Sequence, residues 1–135
     1  MSEPTILVVE DEYGSAEVLQ LILEFEGWRV ILAGDGRDAL QRIDGVALDL
    51  VLADFMMPNM NGAQLGKAMR ADAATARVPI VIMSAADESQ VRREFSDYQA
   101  FLHKPYRLAE LLSLLRGLLA GRSDGHETPG NGAVP

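Results

Sequence analysis

The sequence predicts an α/β protein, a doubly wound (βα)5 three-layer sandwich around a parallel five-stranded sheet. Three observations predict it. Short, continuous apolar runs recur along the chain, as in Ile6-Leu7-Val8-Val9, Leu50-Val51-Leu52-Ala53 and Ile80-Val81-Ile82-Met83. Such runs read as strands buried on both faces. Stretches with helical spacing of apolar residues stand between them, and the two kinds of segment alternate five times. That alternation implies right-handed crossovers that place helices on both faces of a parallel sheet. Strand order cannot be read from the pattern, but either common doubly wound order opens a crevice at the C-terminal strand ends.

In chain order, Ile6–Val9 is the first strand and runs into Glu10-Asp11-Glu12. From Tyr13 to Glu26, the residues Val18, Leu21, Ile22 and Phe25 recur at helical spacing, so these are the expected inward residues of an amphipathic helix. Gly27 closes it at the C′ position. Trp28–Leu32 is the second strand, Gly34-Asp35-Gly36 breaks it, and Arg37–Ile43 is a short helix. Asp44–Leu48 is a loop and Asp49–Ala53 the third strand, with Asp54 at its tip. Pro58 and Asn59 hold the next loop open. A helix then starts at Asn61 or Gly62, with Leu65, Ala68 and Met69 inward.

Arg77-Val78-Pro79 leads into the fourth strand, Ile80–Met83, and Ser84 stands at its tip. Asp87–Ser96 is a polar helix with few apolar residues, Val91 and Phe95 among them. Ala100-Phe101-Leu102 is a short fifth strand, followed by Lys104-Pro105. Leu108, Leu111, Leu112, Leu115, Leu118 and Leu119 mark one stripe of a last helix, which Leu114 widens. From Gly121 the chain turns rich in glycine and proline. One domain over 1–120 and a disordered tail or linker over 121–135 are therefore expected.

The chain has 135 residues, 48% hydrophobic, with no cysteine and a formal charge of −8. That length suits one domain with a two-sided core. The lack of cysteine excludes disulfides, thiol catalysis and Cys-based zinc sites. The apolar runs are too short to span a bilayer and no signal-type segment is apparent, so a soluble, cytoplasmic protein is expected, away from membranes. The acidic balance argues against direct nucleic-acid binding, which needs a basic face.

The C-terminal strand tips collect chemistry. Strand one brings Glu10 and Asp11, strand three Asp54, strand four Ser84 and strand five Lys104. Taken singly, each has a plain alternative. Asp54 can start a turn, the acidic run can cap a helix, Ser84 can be a turn or N-cap hydroxyl, and Lys104 can be an ordinary surface lysine. Taken together, three carboxylates at one edge repel one another, by roughly 4 kcal/mol per pair at about 4 Å in a surface-like dielectric. A divalent cation relieves that, and carboxylates without Cys or His partners favour a hard ion such as Mg²⁺. A hydroxyl and an ammonium nearby complete an oxyanion-binding set suited to phosphoryl transfer.

This constellation resembles the receiver domain of two-component response regulators. The matching positions are Glu10-Asp11, the D-x-M-M-P-x-M-x-G run from Asp54 to Gly62, Ser84-Ala85 and Lys104-Pro105, and agreement covers roughly residues 4–120. The resemblance implies a flavodoxin-like fold of the chemotaxis single-domain type, with strand order 2-1-3-4-5. It implies that Asp54 is the phosphoacceptor, charged by a histidine kinase or a histidine phosphotransfer protein. Glu10, Asp11, Asp54 and the backbone carbonyl of Met56 would hold Mg²⁺, for which Mn²⁺ can substitute. Ser84 and Lys104 would contact the phosphoryl oxygens, Lys104-Pro105 would be cis, and Gly62 and Pro105 would be structural.

Phe101 takes the family's aromatic switch position. The expected output surface is α4-β5-α5, which engages a downstream protein partner or an output domain outside this sequence, the chain being a monomer or a weak dimer through the same surface. Self-phosphotransfer and autodephosphorylation would be its only chemistry. The departures are Glu at the first acidic position, Ser at the hydroxyl, and Met56 and Ala86 at two variable positions. Neither Met56 nor Ala86 orients an attacking water, which points to slow or moderate dephosphorylation.

Other function classes compete with this one. Gly34-Asp35-Gly36-Arg37-Asp38-Ala39 fits G-x-G-x-x-A after a strand, a formal match to a nucleotide-binding turn with Asp54 at the ribose-carboxylate distance. It leaves Ser84 and Lys104-Pro105 unexplained. An aspartyl-phosphate phosphatase usually wants a second acid two residues after the nucleophile, where Met56 stands. A pseudo-receiver that binds partners without phosphorylation is opposed by the intact acceptor, acids and lysine.

Overall fold

The computed structural model describes residues 3–131, with side chains described through Gly121. The chain divides into two compact units, Met1–Pro105 and Tyr106–Pro135. The first holds all five strands, β1 (Thr5–Val9), β2 (Arg29–Ala33), β3 (Leu50–Asp54), β4 (Ile80–Ser84) and β5 (Ala100–His103). It also holds the helices α1 (Tyr13–Phe25), α2 (Gly36–Arg42), α3 (Gly62–Ala71) and α4 (Glu88–Glu94). All strand pairs are parallel, in the order β2-β1-β3-β4-β5. This is the order that the resemblance implies, and the predicted strands lie within about one residue of the observed ones.

The order follows from burial. β3 and β4 are buried at every residue and β1 from Ile6 onward, as strands flanked on both sides and covered on both faces must be. β2 and β5 lie at the edges and keep exposed ends at Arg29 and His103. On one face, Leu7, Val9, Val51, Ala53, Ile80 and Ile82 pack in a single cluster with Ala39 and Ile43 from α2 and its end, Leu65 and Met69 of α3, and Val91 and Phe95 of α4 and its end. A Cβ at Gly66 would collide with the Phe95 ring, so this glycine lets α4 approach α3.

α1 corrects an expectation. Val18, Leu21 and Phe25 are 57%, 69% and 93% exposed, and Ile22 is half-buried, whereas Ala16, Leu19 and Leu23 are buried. The helix carries two apolar stripes on opposite sides. The smaller one, at i, i+3 and i+7, meets the sheet, because Ala16 allows close approach and the β1–α1 connection sets the rotation of the helix. Bulk alone selected the wrong stripe. Gly27 behaves as expected, with φ 92° just past the helix end.

In α3, Leu65 and Met69 are buried and Ala68 is half-buried. The second unit is described by itself. Its helix α5 (Leu108–Asn131) buries Leu111, Leu115 and Leu119, half-buries Leu112, Leu114 and Leu118, and leaves Leu108 46% exposed. Backbone helix thus continues past Gly121, where the composition shift places the start of the tail. The side chains beyond Gly121, and residues 132–135 altogether, lie outside the described residues. Among the described residues no helix is long and apolar enough to cross a membrane.

At the N-terminal strand ends, polar groups are paired. The Arg70 guanidinium donates to the carbonyls of Ala76, Val78 and Asp97 and to Oε1 of Gln99. That same Gln99 oxygen accepts from the Ile80 amide, and Asp49 Oδ2 accepts from the Thr5 amide at 2.8 Å.

Candidate functional site

Strand register assembles the site. Val9 pairs with Ala53 and Asp54 with Met83, so Glu10 and Asp54, each one step beyond the Val9–Ala53 pair, leave the sheet side by side. Ser84 pairs with His103, which places Lys104 one residue past the same edge. Glu10 and Asp54 are each only 6% exposed. Carboxylate oxygens of Glu10, Asp11 and Asp54 lie within 4.8 Å of one another. Lys104 Nζ donates to Asp54 Oδ2 at 2.9 Å and stands 3.6 Å from Glu10 Oε1.

The acidic run divides its labour. Glu12 caps α1 by accepting from the Ser15 amide at 2.7 Å, while Glu10 and Asp11 turn to the site. The capping alternative therefore holds for one of the three. Burial, then the nearby charge of Asp54, pushes the Glu10 carboxyl above its ordinary range, against the pull of Lys104. Burial alone would lower Lys104, but its hydrogen bond to Asp54 and the charges of Asp54 and Glu10 outweigh that, and its pKa rises. The cluster thus combines charge in excess with one fixed cation. Such a donor set, all oxygen and half-buried, fits a hard divalent ion that relieves the excess.

Ser84 is fully buried, and its hydroxyl accepts from the Ala86 amide at 3.0 Å, so it shapes the turn after β4 as well as standing at the edge. Met56 follows Asp54 by two residues with its side chain 64% exposed. Gly62 is required by space, since a Cβ there would lie 2.7 Å from the Asp54 carbonyl oxygen, and its amide donates to the Phe55 carbonyl at 3.0 Å. α3 begins with a reciprocal capping box between Asn61 and Gln64. The Lys104-Pro105 peptide is cis. Phe101 is partly buried against the core cluster and lies in a row of tilted rings with Tyr98 and His103.

The Gly34–Ala39 match does not form a phosphate cradle. The Gly34 amide donates to Asp38 Oδ2, the Gly36 amide to the Met60 carbonyl and the Asp38 amide to Asp35 Oδ1. The amides that a pyrophosphate would need are already taken, two of them by carboxylates. Two side-chain contacts go beyond what the sequence pattern shows. Asn59 adopts φ 64° and donates to Asp35 Oδ2 at 2.8 Å, and Tyr98 donates its hydroxyl to Glu88 at the start of α4. The open turn at Pro58-Asn59 was the only sequence signal for the first; nothing local signalled the second.

Comparisons with known proteins bear on the family and the fold. Residues 6–116 match the response regulator receiver domain family. The chain is 34% identical over 116 residues to the response regulator ArlR of Staphylococcus saprophyticus, covering 84% of this chain and 51% of that protein. It therefore spans about half the length of the curated relatives it matches. Among solved structures it superposes on the chemotaxis protein CheY4 of Vibrio cholerae with TM-score 0.82 and 26% identity, covering 87% of this chain and all of that one. The response regulator TrrA of Thermotoga maritima, solved in complex with Mg²⁺–BeF, gives TM-score 0.77 and 26% identity, covering 86% and 99%. With the receiver family matched over 6–116, on a parallel sheet ordered 2-1-3-4-5 with an acidic cluster at its C-terminal edge, the chain belongs to the response regulator receiver domain family.

Proposed function

We propose that Asp54 accepts a phosphoryl group from the phosphohistidine of a histidine kinase or histidine phosphotransfer protein. A carboxylate oxygen of Asp54 attacks phosphorus, the P–N bond to the donor imidazole breaks, and the imidazole leaves with a proton from solvent. The observation that carries this reading is a buried carboxylate at a strand tip held 2.9 Å from one lysine, with two further carboxylates within 4.8 Å. Glu10, Asp11 and Asp54, with the Met56 carbonyl, would hold Mg²⁺, or Mn²⁺ in its place, which when bound neutralises charge on the transferring group. Lys104 orients Asp54 before transfer and pairs with a phosphoryl oxygen after it. Ser84 hydrogen-bonds another.

Phosphorylation adds about −1.5 to −2 charges and three acceptor oxygens. Ser84 then turns from the Ala86 amide toward the phosphate, and Phe101 moves into the space it leaves. The face of α4 and β5 changes with them. α4 suits that part, being seven residues long with Val91 as its one buried residue and no side-chain hydrogen bond from its N-cap Asp87. The chemistry is self-phosphotransfer followed by autodephosphorylation. The receiver domain ends near residue 120, and 121–135 serve as tail or linker. The chain works in the cytoplasm, as a monomer or weak dimer, on a protein partner or through an output domain.

The test is incubation with Mg²⁺ and acetyl phosphate, or with a phosphorylated histidine kinase. One acid-stable, base-labile phosphate is expected by intact mass. Equal labelling of Asp54→Asn would overturn the assignment.

A further inference from the structure

The Gly34–Ala39 turn has the form of a phosphate loop and is spent on something else. Asp35 uses its two oxygens on two elements: Oδ1 accepts from the Asp38 amide and caps α2, and Oδ2 accepts from Asn59 Nδ2, both at 2.8 Å. One residue on, the Gly36 amide donates to the Met60 carbonyl at 3.0 Å. A Cβ at Gly36 would lie 2.8 Å from that carbonyl oxygen and 2.6 Å from Met60 Cγ, so only glycine permits the approach. At the other end of the loop, Gly62 is anchored to Phe55 and pressed against the Asp54 carbonyl. Met56, Met57 and Pro58 are thus suspended between the acceptor strand and the β2–α2 turn.

We propose that Asp35 and Gly36 are positioning residues for the loop after the acceptor. They hold Asn59 and Met60 so that the Met56 carbonyl stands beside the oxygens of Glu10, Asp11 and Asp54. This deepens the reading above and rests on it, because it supposes that those carboxylates take a divalent cation. The clamp acts through the backbone at Met56 and touches no reacting atom. Its physical basis is preorganisation. Asn59 sits in a left-handed conformation that Asn and Asp tolerate better than most residues. A loop free to relax would have to be ordered anew each time a cation binds.

The polarity of the Asp35–Asn59 bond permits a swap test. Asn59→Asp keeps a residue tolerant of positive φ but sets two carboxylates face to face. Asp35→Asn combined with Asn59→Asp restores one donor opposite one acceptor, keeps a good N-cap at position 35 and leaves the net charge of the chain unchanged. The readout is the Mg²⁺ dissociation constant by titration calorimetry, with urea midpoints measured alongside. Asn59→Asp is expected to bind Mg²⁺ about tenfold more weakly, the size typical of lost outer-shell support, and the swap to return within about twofold of wild type. The added negative charge would by itself strengthen cation binding, so weakening reports the clamp.

A purely structural role would lower the urea midpoint and leave the dissociation constant in place. Asn59→Gly removes the donor with no change of charge and is expected to weaken Mg²⁺ as well. Wild-type affinity in both single variants, or a swap as weak as Asn59→Asp, overturns the proposal. No Mg²⁺ binding by the wild-type chain would instead overturn the reading beneath it, and the clamp with it.

Discussion

The two ends of one sheet treat polar groups in opposite ways. At the strand beginnings Arg70 is matched against three carbonyls and Gln99, and Asp49 against a backbone amide. At the strand ends, Glu10, Asp11 and Asp54 face one another with Lys104 as the fixed cation. The first arrangement satisfies each donor with an acceptor and locks α3, β4 and β5 together. The second concentrates like charge, which is unfavourable until a cation or a phosphoryl group enters. One edge holds the sheet, and the other keeps a strained arrangement that stability alone would not select.

Four substitutions break or sharpen that contrast. The largest expected effect is on chemistry: Asp54→Asn should reduce acetyl phosphate labelling by at least about 100-fold, while its urea midpoint stays at or above that of wild type. A large loss of stability would mean that Asp54 belongs to the structural kind of edge. Next comes Arg70→Ala, expected to cost about 3 kcal/mol, since one charged donor serves four neutral acceptors and the Asp97 carboxylate. The initial rate of labelling at Asp54 should hold in the folded variant. Urea unfolding with unchanged stability would remove Arg70 from its place in the comparison.

Glu10→Gln should act in opposite directions on the two properties. It removes a buried carboxylate pressed by Asp54, so metal-free stability should rise by about 1 kcal/mol, while Mg²⁺ binding weakens. Denaturation in EDTA and calorimetry with Mg²⁺ separate the two, and a fall in metal-free stability would contradict the account of like charges.

The smallest effect concerns pH. Hydrogen bonds from the Asp38 amide, then from Asn59, hold Asp35 below its ordinary 3.8. A depressed carboxyl contributes stability above its unfolded value and loses it as pH falls through the folded one. Below about pH 4 the wild type should therefore lose stability more steeply than Asp35→Asn. Parallel urea midpoints for the two across that window would count against the Asp35 interactions.

Much of the fold and site was legible along the chain, for identifiable reasons. Ile6–Val9, Leu50–Ala53 and Ile80–Met83 are unbroken apolar runs, and only strands covered on both faces use them so densely. Asp54, Ser84 and Lys104 were visible because each interrupts or follows such a run. The inward face of α1 was misread because Val18, Leu21 and Phe25 outweigh Ala16, Leu19 and Leu23 in bulk, and bulk does not say which side the sheet is on. The Gly34–Ala39 turn was seen as a motif without its partner, since Met60 lies 24 residues beyond Gly36.

Residue order was thus enough for the alternating elements, their approximate bounds and the chemical types gathered at the strand tips. These follow from local periodicity and from where each apolar run stops. Tertiary structure decided which stripe of α1 is buried, that Glu12 caps while Glu10 and Asp11 turn to the site, and that Asp35 and Gly36 grip the loop after Asp54. The reason is one of range. Propensity and periodicity act over a few residues, whereas register, helix rotation and contacts between loops are settled only when distant segments share one packed space.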